Sequence, residues 1–515
     1  MHFSVLLIAS LSLQLTQVTA ASNRAAQRYV QLDKNQVKNT QNYLEDISEA
    51  APAPNTSSYR YLTAKTQPYQ VASLPDFNFD IGEFYSGEVP IDSANRTLFF
   101  AFKPSTGPKV DELSIWLNGG PGCSSLAGLI DENGPWTWQP GTFLPVENPY
   151  AWSGLTNMLW VEQPVGTGFS QGEVRAKSEE DVAADFVLFF KNFQKIFGIS
   201  NYKIYITGES YAGRYVPYIA QGMIQQKDPK YFNVSGAMVY DPVIGDEITQ
   251  FFTTIAPFAN ENEAFLNLNS TSLSLINSLD SKCGFAAYRD KYFRFPPPGH
   301  QPSSIPFPPG TNERSCDLFD YISNAAQQVN PCFNIYSINT QCPLLWDVTG
   351  FPGGHEYLPK GASIYFNRAD VKKAMHAPAN VEWTICANHQ VLLDDTSADS
   401  IYKAIPDVLA ATNRFLIANG DYDMILTTNG TLLAIQNMTW GGKTGFQTKP
   451  ATPIVISQAD QAWGQPGPQG VMGVQHYERG LMWAETFQAG HMGPEAQPRV
   501  SLRLLEWVLG RIETL

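Results

Sequence analysis

The sequence predicts an α/β domain with a central, mostly parallel sheet flanked by helices, and three observations carry that prediction. Apolar runs rich in Leu, Ile, Val and aromatic residues recur at Leu98–Phe102, Leu113–Leu117, Met158–Val161, Ile204–Ile206, Ala237–Tyr240 and Phe415–Ile417, with helical patterns between several of them. The segment from Lys203 to about Gln226 reads as strand, Gly-bounded turn and helix, the helical spacing being marked by Tyr215, Ile219 and Met223. Near the C-terminus, Leu481–Phe487 reads as a strand, Gln488–Pro494 as the loop at its end and Val500–Val508 as a closing helix.

With 515 residues, 43% hydrophobic and only 16% charged, the chain has ample apolar side chains for a large core and lacks the composition of a disordered protein. Its formal net charge of −14 argues against nucleic acid or an anionic membrane as partner.

Residues 1–20 open with the apolar run Val5–Leu15 and end on small residues at Val18-Thr-Ala20, the pattern of a cleaved secretory signal. A membrane span would need about 20 apolar residues, and this run is shorter. Residues 21–69 are polar, with an amphipathic patch at Val37–Ile47 and a linker-like Ala50–Ser58; a pro-segment and a plain N-terminal arm fit equally well. The catalytic-size domain follows over 70–515. Export agrees with six N-x-S/T acceptor sites, at Asn55, Asn95, Asn233, Asn269, Asn429 and Asn437. It agrees too with six Cys, which suggest disulfides; they allow 15 pairings, and none stands in a C-x-x-C metal spacing, so no metal is expected. No apolar tail precedes Leu515, which predicts no lipid anchor.

Within the domain, Ser178-Glu-Glu-Asp181 makes a capping box, and Val182, Phe186, Phe189, Phe190, Phe193 and Phe197 then fall on one helical face as a core stripe. Between about 246 and 380 the sheet pattern fades. This span holds Cys283, Cys316, Cys332 and Cys342 and the Pro-rich stretch Phe295–Gly310, and it reads as an insertion covering the active site.

The turn Gly208-Glu-Ser-Tyr-Ala-Gly213 reads as the G-x-S-x-G pattern, with Ala212 at the second small position and Gly213 just after it, in the strand–turn–helix context that gives it mechanical meaning. Small residues at Gly208 and Gly213 let strand and helix approach, and Ser210 is presented beyond the sheet as a nucleophile. The alternative is a Gly-rich connection with Ser210 as a helix cap. A nucleophilic Ser needs a base, and the base an orienting acid. Of the seven His, His491 stands in the loop after a predicted strand, where an α/β-hydrolase fold places its base. The acid falls between Ser and His in chain order: the loop after Arg414–Asn419 offers Asp421 and Asp423, and the G-x-x-D spacing favours Asp423.

The chain resembles the serine carboxypeptidase family, most closely its secreted fungal members. The matching residues are Trp116–Ser125 (WLNGGPGCSS), Glu132–Pro135 (ENGP), Val161–Ser170 (VEQPVGTGFS), Gly208–Gly213, Gly420–Asp423 (GDYD) and Ala489–Met492 (AGHM), spread from about Pro75 to the C-terminus. The resemblance implies an α/β-hydrolase fold with a disulfide-stapled insertion. It implies removal of single residues from the C-termini of peptides and proteins through an acyl-enzyme, best at acid pH and without a cofactor.

It further implies that Gly120 and Tyr211 donate backbone N–H groups to the oxyanion, and that Asn118, Gly119, Glu132 and Glu209 hold the substrate's terminal carboxylate. Clustered acids share protons, so Glu132 and Glu209 would act as donors at acid pH and lose that role as pH rises. Cys123 would bridge to Cys386, and the other four Cys would staple the insertion, nested as Cys283–Cys342 and Cys316–Cys332. One departure is Gly493 before Pro494, where the family has an apolar residue; it predicts a looser His loop or a reshaped pocket. The rivals are an esterase or acyltransferase on the same fold, since the triad is indifferent to the acceptor, and an inactive binding protein. Secretion is the expected destination, with a vacuolar or lysosome-like compartment as the alternative; the residues leave oligomeric state open.

Overall fold

A computed structural model describes residues 59–93, 95–350, 358, 362–460 and 468–515. The signal segment, most of the arm and Asn55 lie outside them. Ten strands form one sheet: β1 (Tyr85–Pro90), β2 (Thr97–Lys103), β3 (Glu112–Leu117), β4 (Asn157–Glu162), β5 (Lys203–Glu209), β6 (Asn233–Tyr240), β7 (Phe415–Gly420), β8 (Thr452–Ile456), β9 (Gly470–Glu478) and β10 (Leu481–Thr486). Their spatial order is β1-β2-β4-β3-β5-β6-β7-β10-β9-β8. The six from β4 to β10 in that order run parallel. Antiparallel pairs finish both edges. Every residue of β3, β4 and β7 is buried, as strands covered on both faces require.

Helix α1 (Glu179–Phe197) starts where the capping residues place it: the Ser178 side chain accepts from Asp181 N. The return bond of the box reaches one residue further back, Asp181 accepting from Lys177 N at 2.9 Å. Its Phe stripe is buried against the sheet, with ring centroids 5.2 Å apart for Phe193 and Phe100 and for Phe197 and Phe102. Each such ring contributes roughly 1.5–3 kcal/mol through burial. Tyr61, from the stretch the composition groups with the arm, packs edge-on against Phe102 at 5.2 Å, so the packed unit begins before residue 70. Helix α2 (Ala212–Gln225) follows β5 and lies against α1.

No strand lies between Tyr240 and Phe415 among the described residues. Helices α3 (Ser270–Lys282) and α4 (Leu318–Val329) belong to a second apolar cluster that includes Ile276, Phe285, Leu318, Ile322 and Phe333. The nested pairing expected for its cysteines is overturned. The bonds are Cys283–Cys316 and Cys332–Cys342, with Cα separations of 5.8 and 5.3 Å. Cys283 and Cys316 are both buried in the insertion's own core, while Cys332 and Cys342 close a short loop beside the active-site cavity. Cys123 bonds to Cys386. Asn95, Asn233 and Asn269 are exposed and Asn429 is partly so. Asn437 is not a free acceptor site: it is buried, and its Oδ1 accepts from Gln301 N at 2.9 Å. No described helix is long and apolar enough to cross a membrane.

Candidate active site

Ser210 occupies the turn between β5 and α2 with φ of +64°, a left-handed conformation that costs a β-substituted residue energy and persists only where its surroundings enforce it. Three backbone bonds do so: Ser210 N to Tyr240 O (2.8 Å), Val243 N to Ser210 O (3.0 Å) and Gly213 N to Ser210 O (2.9 Å). The small residues matter for contact. A Cβ on Gly213 would lie 2.5 Å from Val243 O, and one on Gly119 would lie 2.6 Å from the Ser210 Cβ and 2.5 Å from Tyr211 N. The loop after β3, carrying Asn118–Gly120, therefore rests directly on the turn.

His491 follows β10. Its backbone N donates to Tyr336 O at 2.7 Å, and the Tyr336 ring packs 5.1 Å from the imidazole. Its Nδ1 lies 2.6 Å from Asp423 Oδ2. The other Asp423 oxygen accepts from Ile425 N and Leu426 N at 2.9 and 3.2 Å, and Asp423 has no exposed surface. Asp421, the other acid considered, instead accepts from Ala489 N at 3.3 Å and makes no bond to the imidazole. Ser210 and His491 line one cavity of about 560 Å³. A serine, an imidazole and a buried carboxylate so placed have the parts for nucleophilic catalysis.

Beside Ser210, Trp116 Nε1 donates to Asn118 Oδ1 at 2.8 Å, which turns the Asn118 amide nitrogen toward two acids. That nitrogen lies 2.6 Å from Glu209 Oε1 and 3.2 Å from Glu132 Oε1. The two carboxyls are within hydrogen-bond reach of each other, and both are buried. Burial raises both above the usual carboxylate range, and the neighbouring Glu209 charge raises Glu132 further. Asn118, Glu132 and Glu209, with Gly119 and Gly120, face the same cavity as Ser210.

Gly493 lies buried two residues after His491. It begins a short helical turn, Gly493–Ala496, and a Cβ there would meet the Tyr240 ring at 2.7 Å, so only glycine lets the turn sit down on that ring. The cavity wall also carries Asp131, Asp347 and Glu495. Glu495, four residues after His491 in one turn, was findable by spacing; Asp347 lies in the irregular insertion, where no pattern announces it.

The fold and the site together define an α/β-hydrolase of the serine-nucleophile type. The family model for serine carboxypeptidases matches residues 75–511. The chain is 55% identical to serine-type carboxypeptidase F of Aspergillus niger over 478 residues, 89% of each chain. It is 45% identical to a probable serine carboxypeptidase of Arthroderma benhamiae over 93% of this chain and 92% of that one. In structure it is similar to the Kex1 prohormone-processing carboxypeptidase of Saccharomyces cerevisiae, with a TM-score of 0.66, 23% identity, and 87% and 97% of the two chains covered, which establishes the likeness of fold. The chain belongs to the serine carboxypeptidase family and is an enzyme of the serine-type carboxypeptidase class.

Proposed function

We propose that this enzyme is exported, works best at acid pH and removes C-terminal residues through an acyl-enzyme formed on Ser210. The observation that carries the reading is the Asn118–Glu132–Glu209 cluster on the cavity that also holds Ser210 and His491. In this reading Ser210 attacks the last peptide carbonyl and His491 takes the proton and returns it to the leaving amine. Asp423 fixes the imidazole and stabilises its cationic form. Backbone N–H groups of Gly120 and Tyr211 receive the oxyanion. Asn118, the Gly119 backbone and the proton-sharing pair Glu132 and Glu209 receive the substrate's terminal carboxylate. Two carboxyls serve there because burial keeps a proton between them, so they offer a hydrogen rather than a second negative charge.

The test is a rapid-mixing assay at acid pH on an N-blocked ester substrate with a free terminal carboxylate, alongside release of single amino acids from a longer peptide. A stoichiometric burst followed by slower turnover, lost in Ser210→Ala, is the expected result; ester turnover without any release of amino acids from the peptide rejects the reading. Export is tested by sequencing the N-terminus of the protein from a native culture: a start after residue 20 supports it, and an intact Met1 on intracellular protein overturns it.

A further inference from the structure

Asp241, the first residue past β6, is a fully buried acid that the proposed mechanism leaves unused. Its backbone is strained, with φ of +40°. It is held there by Asp241 N donating to Ala418 O at 2.8 Å, and by Gln250, which binds the carbonyl of Pro242 and the N–H groups of Ile244 and Gly245. Its Oδ1 accepts from Gly420 N at 2.9 Å and Asn419 Nδ2 at 3.3 Å. Its Oδ2 is buried and receives no N–H or hydroxyl.

What does lie within hydrogen-bond reach of the Asp241 carboxyl is Asp423. Asp423 already accepts from His491 Nδ1 and two backbone N–H groups, which leaves room for about one further donor on its carboxylate. Two ionised carboxylates cannot face one another at modest cost where both are fully buried, so one proton must lie between them. Asp423 has three donors, the imidazole among them, spread over both its oxygens, whereas the two donors to Asp241 share one oxygen and leave the other without one. The proton therefore belongs on Asp241.

We infer that Asp241 is a positioning residue, a neutral carboxylic acid whose Oδ2–H donates to Asp423 and holds that carboxylate in the plane the His491 imidazole needs. Burial first, then the Asp423 charge, raises Asp241 well above the usual carboxylate range, and Glu209 adds to this from the far side, while the Gly420 N–H acts the other way. The inference rests on the proposed triad for its kinetic consequence, but the proton's location does not depend on turnover.

The experiment compares wild type with Asp241→Asn, which keeps the shape and an N–H donor, and Asp241→Leu, which keeps the branched shape with more bulk and loses the donor. The infrared difference spectrum between wild type and Asp241→Asn at neutral pH should show the loss of a protonated-carboxyl C=O stretch. Loss of a carboxylate stretch instead overturns the inference, whether or not any substrate is cleaved. With both variants folded by circular dichroism, Asp241→Asn should keep kcat within about threefold while Asp241→Leu loses roughly ten- to hundredfold in kcat with KM little changed. Equal losses in the two variants, or no loss in either, would contradict a donor role.

Discussion

The side-chain nitrogen of Asn118 lies 2.6 Å from Oε1 of Glu209. Because Trp116 fixes the amide's other end, Asn118 has no freedom to flip and presents a donor, never an acceptor, to the acid pair. Asn118→Asp would replace that donor with a third carboxylate in a buried acidic site. The expected outcome is a rise in KM of roughly tenfold or more with a smaller change in kcat, read from steady-state kinetics on one peptide at acid pH.

The acid pair sets a direction for pH dependence. Burial raises Glu132 and Glu209, so their shared proton persists above the ordinary carboxylate range and is lost as pH rises through the raised values. In the proposed reading the pair donates to the substrate carboxylate below that range and repels it above. KM should therefore climb with pH in the wild type, whereas the double variant Glu132→Gln, Glu209→Gln should show a higher but nearly flat KM. A variant profile that climbs as steeply as the wild type would place the titration elsewhere.

For the triad, Asp423→Asn should lower kcat by roughly a thousandfold or more without unfolding the chain, since the amide can hold the ring but not the tautomer or its charge. Asp421→Asn should cost far less, because Asp421 bonds a backbone N–H rather than the imidazole. A larger loss at Asp421 than at Asp423 would reverse the assignment.

A stability prediction comes from Glu162, buried beneath the Cys123–Cys386 bridge region. Its carboxyl accepts from Ser124 Oγ, from Trp383 Nε1 at 3.1 Å and from Phe169 N at 2.6 Å, yet burial outweighs these bonds and pushes it up to about 7. A raised folded value means that the folded chain holds a proton the unfolded chain releases. Stability is thus fully present below the ordinary value of 4.5 and lost as pH rises to about 7, up to about 3 kcal/mol in all. Glu162→Gln should be less stable at acid pH, having lost an acceptor, and its melting temperature should fall less between those two pH values. Parallel melting curves across that interval would rule Glu162 out as the titrating group.

The parts of this fold legible in the sequence are those where burial on both faces makes a strand almost wholly apolar. All six runs named at the outset lie in strands of the sheet, and Leu481–Phe487 begins at the first residue of β10. The strands that escaped notice are β1, β8 and β9, which sit at or next to the edges and are broken by Gly87, Pro453 and Gly473; β8 also carries a register shift at Ile454/Val455. The half-exposed residues of β8 and β9 give no continuous run, and β1, though mostly buried, carries Ser86, Gly87 and Glu88 in succession. The elbow, the His loop and the acid loop were legible because each follows a readable strand. The pairing of Cys283 with Cys316 was not, because it depends on which helices of the insertion share a core, and α3 and α4 have no sheet register to order them. Asp241 escaped for another reason: a lone Asp-Pro after a strand reads as a turn, and only its proximity to Asp423 gives it chemical meaning.

The proposed substrate selection is by the free C-terminal carboxylate, read by a proton-sharing acid pair beside a serine nucleophile. It is tested most directly by measuring kcat/KM for one N-blocked dipeptide as the free acid and as its C-terminal amide, across acid to neutral pH, with Ser210→Ala as the control. The account predicts release of the last residue from the free acid at a rate at least about a hundredfold above the amide at acid pH, a gap that narrows as pH rises, and no release by the variant. Equal cleavage of acid and amide at every pH would contradict it.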